Sequence, residues 1–321
     1  MNRPPAPGPG PVLLTGGSGF VGRQVHRLLL ERGYPVRPAL RAPGEVAGAV
    51  TIPDIDGHTD WSAALESVDT VVHLAARVHR LDDTGPDAEA EHRRVNTDAT
   101  LHLARCAVSA GARRLVFTSS ILVMGPAAEA PLTEEDPCRP ATPYARSKLA
   151  AETGLGEIAA ETGLEVVVLR PPLVYGPGVK GNLERLIRLI ERGVPLPLGR
   201  ATNRRSLIYV ENLADAVVHC VGYPAAAGQT FLVSDGEDLS TAELARRLGE
   251  WAGRPARLVP FPVGPARVLG RLIGRSADVS RLFDSLQADT AKARAVLGWQ
   301  PPHTMEEGLR RTFGGHGPAP G

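Results

Sequence analysis

A chain of 321 residues with a formal net charge of +1 has no overall field to draw it to nucleic acid or an anionic membrane, so any anionic ligand must be held locally. With 43% hydrophobic and 22% charged residues, it has the composition of a globular protein that builds a core without metal or disulfides. Aromatic residues are only 4% and no basic stripe is interleaved with them, which argues against nucleic-acid recognition.

The three cysteines, Cys106, Cys138 and Cys220, are far apart and show no zinc spacing, so no metal site is expected and a reduced cytoplasm fits best. Met1 to Pro11 has no apolar leader core, and no run approaches about eighteen apolar residues, so neither secretion nor membrane insertion is expected.

Taken in chain order, residues 1–10 are Gly/Pro-rich and read as a loose tail. Val12 to Thr15 reads as a buried strand, followed by Thr15-Gly16-Gly17-Ser18-Gly19-Phe20-Val21-Gly22 and a helix from Val21 to Arg32 closed by Gly33. A GxxGxxG between strand and helix points to a dinucleotide: Gly16 permits the tight turn, Gly19 lets backbone approach a diphosphate, and Gly22 lets helix and strand pack closely. Val36 to Leu40 is the second strand. It offers Arg37 and Arg41 with no acid between them, which leans toward the 2'-phosphate of NADP while leaving NAD open. Asp54 and Ile55 would set a carboxylate and a backbone amide beside the adenine.

Strands follow at Thr70 to Ala75, Leu115 to Ser119 and Val166 to Leu169, separated by helices at Arg93 to Ala110, closed by Gly111, and Tyr144 to Thr162, closed by Gly163. Strands alternating with helices make the chain α/β, a Rossmann-type doubly wound parallel sheet. After Tyr175 shorter elements build a smaller C-terminal α/β lobe, which includes helix Thr241 to Ala252, with Ser240 as N-cap, and the segment Met305 to Phe313. The expected division is a dinucleotide-binding domain over 11–175, a substrate lobe mainly over 176–313, and a tail over 314–321. Leu207 to Val210 is expected to return to the first domain, near 205–220.

Tyr144 and Lys148 stand four apart at a helix start and share one face. An ammonium beside a phenol favours phenolate, lowering the tyrosine toward the range of a general base. Ser120 ends a strand at the sheet edge where ligands bind, and there it can hydrogen-bond the substrate oxygen whose proton Tyr144 takes.

TGGSGFVG, HLAA at 73–76, VNTDAT at 95–100, FTSSILVMG at 117–125, PYARSK at 143–148 and RPPLVYGPG at 170–178 together resemble the extended short-chain dehydrogenases of the UDP-glucose 4-epimerase class. The stretch at 180–199 and LGWQPP at 297–302 are similar to bacterial UDP-N-acetylhexosamine 4-epimerases and 4-keto-reductases. The resemblance implies Ser120, Tyr144 and Lys148 as the catalytic set, with Lys148 also on the nicotinamide ribose and Asn96 supporting it through a water. It implies a cofactor, NAD or NADP, held by Gly16, Gly19, Phe20, Val21, Gly22, Arg41, Asp54, Ile55, Leu74, Ala75 and Ala76, with Pro171 and Leu173 at the nicotinamide end. Asn182 and Arg205 would bind the nucleotide diphosphate of the substrate, with Arg281 as a further anchor. A homodimer through the helices at 93–110 and 144–162 is implied as well.

Dehydratases of this superfamily carry Asp-Glu after the catalytic Ser/Thr. Ile121 and Leu122 stand here, which excludes that chemistry. The family's aromatic after the serine is replaced by Met124, in Val123-Met124-Gly125. The reading is therefore 4-epimerisation of a UDP-hexose or UDP-N-acetylhexosamine through a transient 4-keto intermediate. The alternatives are an NAD(P)H-dependent reductase of a nucleotide-linked 4-keto-6-deoxy sugar and a non-catalytic dinucleotide-binding protein.

Overall fold

The computed structural model describes residues 10–42, 46, 48–78, 86–262, 264, 280 and 282–313. The tails expected at either end lie outside these, apart from Gly10, and so does Arg281.

A strand covered on both faces has no polar face to present, so it reads as an unbroken apolar run. β1 (Val12–Thr15), β4 (Thr70–His73), β5 (Arg114–Thr118) and β6 (Glu165–Arg170) are of this kind. With β2 (Val36–Leu40), β3 (Val50–Thr51) and β9 (Thr230–Leu232) they form one parallel sheet in the order β3-β2-β1-β4-β5-β6-β9. Successive residues point to opposite faces. Leu14, Val72 and Val116 pack beneath α1 (Phe20–Glu31) and α7 (Val210–Gly222), whereas Leu13, Val71 and Leu115 pack beneath α4 (Ala99–Ser109) and α5 (Pro143–Thr162). The connections reverse direction between β1 and β4, and the carboxyl ends of those two strands open a crevice there.

The expected helix over 93–110 is three pieces: α3 (Pro86–Arg93), a π-helical turn at Arg94–Asp98, and α4. The wide turn carries Asn96 and Thr97, both buried. α5 starts on Thr142, whose side chain accepts from the Ala145 amide, and ends on Gly163 at φ 78°.

Leu207 to Val210 does not join the large sheet. β8 (Arg205–Tyr209) lies between β7 (Leu173–Tyr175) and β10 (Asp238–Leu239) in a separate three-stranded sheet. The chain returns one element later, through α7 and then β9 beside β6. A short apolar strand suits either sheet, and its neighbours decide. The small sheet shares a core with α6 (Asn182–Glu191), α8 (Thr241–Trp251) and the last helix, α10 (Met305–Thr312), which follows α9 (Ala291–Leu297).

Asp235 ties these parts together. Its carboxylate accepts from the Tyr175 hydroxyl (2.7 Å), the Tyr209 amide (3.0 Å) and Asn212 Nδ2 (2.7 Å). Asn212 also exchanges bonds with the His303 backbone, and the Tyr175 hydroxyl reaches the Met305 carbonyl. Burial pushes the Asp235 carboxyl up, against the pull of these donors.

Arg114 fills the matching role under the large sheet. It is 1% exposed, pairs with Glu165 at 2.7 Å, and gives Nη1 to the carbonyls of Cys220, Val221 and Tyr223, which end α7. Arg114→Met would leave those carbonyls without their buried donor. Equilibrium urea unfolding is expected to show a loss of about 3 to 5 kcal/mol.

Candidate active site

At the head of β1 the backbone turns into the glycine loop. Gly16 adopts φ 71°, and a Cβ there would stand 2.7 Å from the Ala75 amide nitrogen. At Gly22 a Cβ would stand 2.0 Å from the Gly16 carbonyl oxygen, and at Gly19 3.0 Å from it. α1 begins on Gly19 with no side-chain cap, so its first N–H groups stay available at the mouth of the loop. A tight turn, a bare helix start and a crossing strand end form a cradle that fits the diphosphate of a dinucleotide. Phe20 and Val21 pack toward the small-sheet core, coupling this loop to the other lobe.

Farther out, Arg37 is already engaged. Its Nη1 donates to the carbonyls of Ala64 and Glu66 at the end of α2 (Ser62–Leu65), at 3.0 and 2.6 Å. The expectation that it meets a 2'-phosphate is thereby corrected, because orphan carbonyls of a helix end hold it. Arg41 is exposed beyond β2. Asp54 caps the Ile55 amide at 2.9 Å and pairs with Arg94 at 3.2 Å.

On the other side of the crevice, Thr15 organises the end of β4: its carbonyl accepts from the Leu74 amide and its hydroxyl from the Ala75 amide, each at 3.3 Å. Ala76 follows, half-buried. Asn96 then grips the next residue, exchanging bonds with the Arg77 backbone at 2.8 and 3.0 Å. It also donates to Ser147 Oγ at 3.0 Å, and Ser147 donates to the Tyr144 carbonyl. The π-helical turn therefore clamps the β4 loop to the start of α5, by direct bonds.

Ser120 follows β5 as the N-cap of a 3-10 turn and is 8% exposed. The next amide, that of Ile121, donates to the Pro171 carbonyl at 3.0 Å, which brings the segment after β6 beside Ser120. Tyr144 stands at the start of α5, hydrogen-bonded with Ser120. Lys148, one turn on, is 2% exposed and rests its Nζ 4.2 Å from the centroid of the Phe117 ring.

The electrostatics correct one expectation. Burial raises the Tyr144 phenol to about 12, with the Ser120 bond working the other way, and Lys148 makes no hydrogen bond to it. Burial also lowers Lys148 to about 7, opposed by Glu152. The Glu152 carboxylate is itself held by Arg170 at 2.6 Å, both side chains being under 10% exposed. Spacing alone put the two groups on one face, but desolvation outweighs their proximity in the protein itself.

Toward the small sheet, Arg205 at the start of β8 donates Nη1 to the Asp284 carbonyl at 3.1 Å and lines a hollow with Leu173, Leu239, Thr241 and Leu244. Leu173 is therefore on the Arg205 side, while Pro171 is on the Ser120 side. Asn182 is the exposed first residue of α6. Met124 is 4% exposed in a cluster with Ile121, Leu232 and Leu286, so this position serves packing rather than lining.

Residues 12–234 match the family model described as the NAD dependent epimerase/dehydratase family. The chain belongs to that family. Over 310 residues it is 42% identical to a UDP-glucose 4-epimerase of Vibrio cholerae, covering 95% of this chain and 94% of the relative. It is 28% identical to an N-acetyl-α-D-glucosaminyl-diphospho-undecaprenol 4-epimerase of Escherichia coli O157:H7, covering 94% of each. Among solved structures, MoeE5 in complex with UDP-glucuronic acid and NAD superposes with a TM-score of 0.78 at 29% identity, covering 95% of this chain and 98% of that one.

Four neighbours of the site escaped the sequence reading as participants: His73, Phe117, Glu152 and Arg170. A histidine inside the wholly buried strand β4 was the available signal, since such a residue must have partners on both nitrogens.

Two outcomes follow from this geometry. Gly22→Ala drives a methyl into the Gly16 carbonyl and should weaken NAD at least about tenfold by calorimetry, with about 1 to 3 kcal/mol of overpacking strain. His73 is held from its ordinary 6.5 down to about 3, by burial first and Lys148 second. Its stability contribution is therefore present above 6.5 and is lost as pH falls through that window, by up to about 1.4 kcal/mol per pH unit. In urea unfolding at successive pH values, His73→Gln should show a shallower decline by that amount.

Proposed function

We propose that the protein is a nucleotide-sugar 4-epimerase acting on a UDP-hexose or UDP-N-acetylhexosamine through a transient 4-keto intermediate. The observation that carries this reading is the approach of Ser120, Tyr144 and Lys148 to one edge of the sheet, beside a glycine cradle, in a chain 42% identical to a UDP-glucose 4-epimerase.

In this reading the segment 11–175 holds NAD and 176–313 mainly holds the sugar nucleotide. NAD, when bound, supplies a carrier that takes a hydride from the sugar and gives it back. Gly16, Gly19, Gly22 and the Ala75–Ala76 backbone hold its diphosphate. Ser120 Oγ orients the 4-hydroxyl, and Tyr144 Oη takes its proton and later returns it to the same oxygen once the turned sugar has regained hydrogen at C4 on its other face. A buried phenol at about 12 needs a positive charge to ionise near neutrality, and Lys148 supplies it from the same helix face. The keto-sugar must turn between the two half-reactions, so its anchor has to lie away from C4. Arg205, with a planar fork suited to phosphate, and Asn182 provide that anchor in the small lobe.

The engagement of Arg37 by α2 removes one of the two arginines that favoured NADP, and with it part of the case for a reductase. The reading further includes a homodimer on the outer faces of α4 and α5 and a cytoplasmic setting. Cys106, Cys138 and Cys220 are free thiols, and no described helix is long and apolar enough to cross a membrane.

The test is to purify the protein without added cofactor, release any nucleotide by denaturation, and assay UDP-glucose and UDP-N-acetylglucosamine for their 4-epimers. Near-stoichiometric NAD and epimer formation are expected. An empty protein that consumes NADPH on a 4-keto sugar nucleotide would replace the epimerase by the reductase. Tyr144→Phe is expected to lower kcat by about 10²- to 10⁴-fold while NAD affinity changes little.

A further inference from the structure

Lys148 is a buried cation with an unusual support. Among the described residues no oxygen accepts a hydrogen bond from its Nζ, and the carboxylate that acts on it, Glu152, is taken by Arg170 at 2.6 Å. What lies against the ammonium is the face of Phe117, 4.2 Å from the ring centroid. Phe117 is fully buried and is stacked in turn with His73, centroids 5.9 Å apart and planes inclined by 15°.

The bonds around His73 fix its tautomer. Thr100 spends its only proton on the Asn96 carbonyl, at 2.8 Å. At 3.0 Å from His73 Nε2 it can therefore only accept, so Nε2 carries the hydrogen. Nδ1 is then an acceptor, and Thr15 donates to it at 2.7 Å while its oxygen receives the Ala75 amide. Each proton in the series from Ala75 through Thr15, His73 and Thr100 to Asn96 has one place. A second proton on the ring would have to displace the Thr15 donor and would put a positive charge next to Lys148.

We propose that His73 and Phe117 are positioning residues for Lys148: a neutral imidazole, locked as the Nε2–H tautomer between Thr15 and Thr100, backs the phenyl ring whose face carries the ammonium. The assignment rests on the reading of Tyr144 as the acid–base group and Lys148 as its cation. Phe117 favours the charged lysine through its ring quadrupole, and His73 keeps that ring in place without adding a competing charge. The titratable groups that act on the ammonium are Glu152 on its own helix, held by Arg170 on β6, and His73 on β4; Tyr144 lies one turn back on the same helix, with the His92 ring of α3 edge-on to it at 6.0 Å. The same series of bonds fixes the Ala75 amide at the glycine cradle, so one histidine serves the cation and the cofactor loop together.

The test is an ultraviolet titration of the Tyr144 phenol in the full-length protein with NAD, each protein being read against its own Tyr144→Phe counterpart. Phe117→Leu removes the ring face at similar bulk and is expected to move the phenol midpoint up by about one pH unit. Phe117→Tyr, which keeps a ring, should restore most of it. His73→Gln keeps a donor toward Thr100 but loses the stack; it should give a smaller upward shift and weaker NAD binding. Combined with Phe117→Leu, it should add nothing further to the midpoint, because both act through one ring. An unchanged midpoint in NAD-binding Phe117→Leu overturns the proposal, and so does an unchanged midpoint in His73→Gln should the leucine variant not fold. The titration uses no sugar substrate, so a wild-type protein that epimerises nothing would sink the proposed reaction and leave this result to be judged separately.

Discussion

The backbone of Ala75 crosses Gly16 so closely that it leaves no room for a side chain at position 16. That contact sets the distance between β1 and the end of β4, and with it the width of the crevice at the point where the sheet reverses direction. Helix α1 can start against the same turn only because Gly22 is bare as well. From there the order propagates by short direct bonds: Thr15 to Ala75, Asn96 to Arg77, and Asn96 to the first turn of α5. The first turn of α5, which carries Tyr144 and Lys148, is therefore referenced to the glycine loop through backbone and buried side chains. Catalytic geometry held to fractions of an ångström requires that kind of support.

Burial shapes the chemistry in two opposed ways. Withdrawing Tyr144 from water makes its phenolate costly, and withdrawing Lys148 makes its ammonium costly, so each is displaced toward neutrality when considered alone. The two charges become favourable only together, and only where a low-dielectric environment magnifies their attraction. A π face suits such a cation because it stabilises charge without committing a carboxylate, which would hold the lysine permanently ionised and pull it from the phenol. The acid that acts on it, Glu152, is restrained by its own bond to Arg170.

Much of the large sheet was legible in the sequence because buried parallel strands are uniformly apolar and the intervening helices close on glycines. Gly33, Gly111 and Gly163 all take positive φ as their positions implied. Ser120 and Tyr144 were legible too, since strand-end and helix-start positions converge at one edge of the sheet. The rest depended on facts that no local pattern contains. Leu207–Tyr209 is as apolar as any strand of the large sheet, and only its pairing with Leu173–Tyr175 assigns it elsewhere. Arg37 looked available until the open end of α2 claimed it. The π-helical turn at Arg94–Asp98 leaves no mark in the hydrophobic period, yet it places Asn96. Desolvation of Tyr144 and Lys148 is a property of everything packed around them, and a spacing of four residues says nothing of it.

Asp235 collects hydrogen bonds from Tyr175, Tyr209 and Asn212, and Asn212 is joined to His303, 91 residues later in the chain. A chain made from its amino end therefore presents the strands of the large sheet, the glycine loop, Tyr144 and Lys148 before the last partners of that carboxylate have been synthesised. Until His303 and Met305 emerge, an acid destined for burial remains only partly matched, and the small sheet lacks the helix that covers it. Residues 291–309 put α9 into the core of the large sheet and α10 over the small one, so neither sheet is fully covered until both helices have been made.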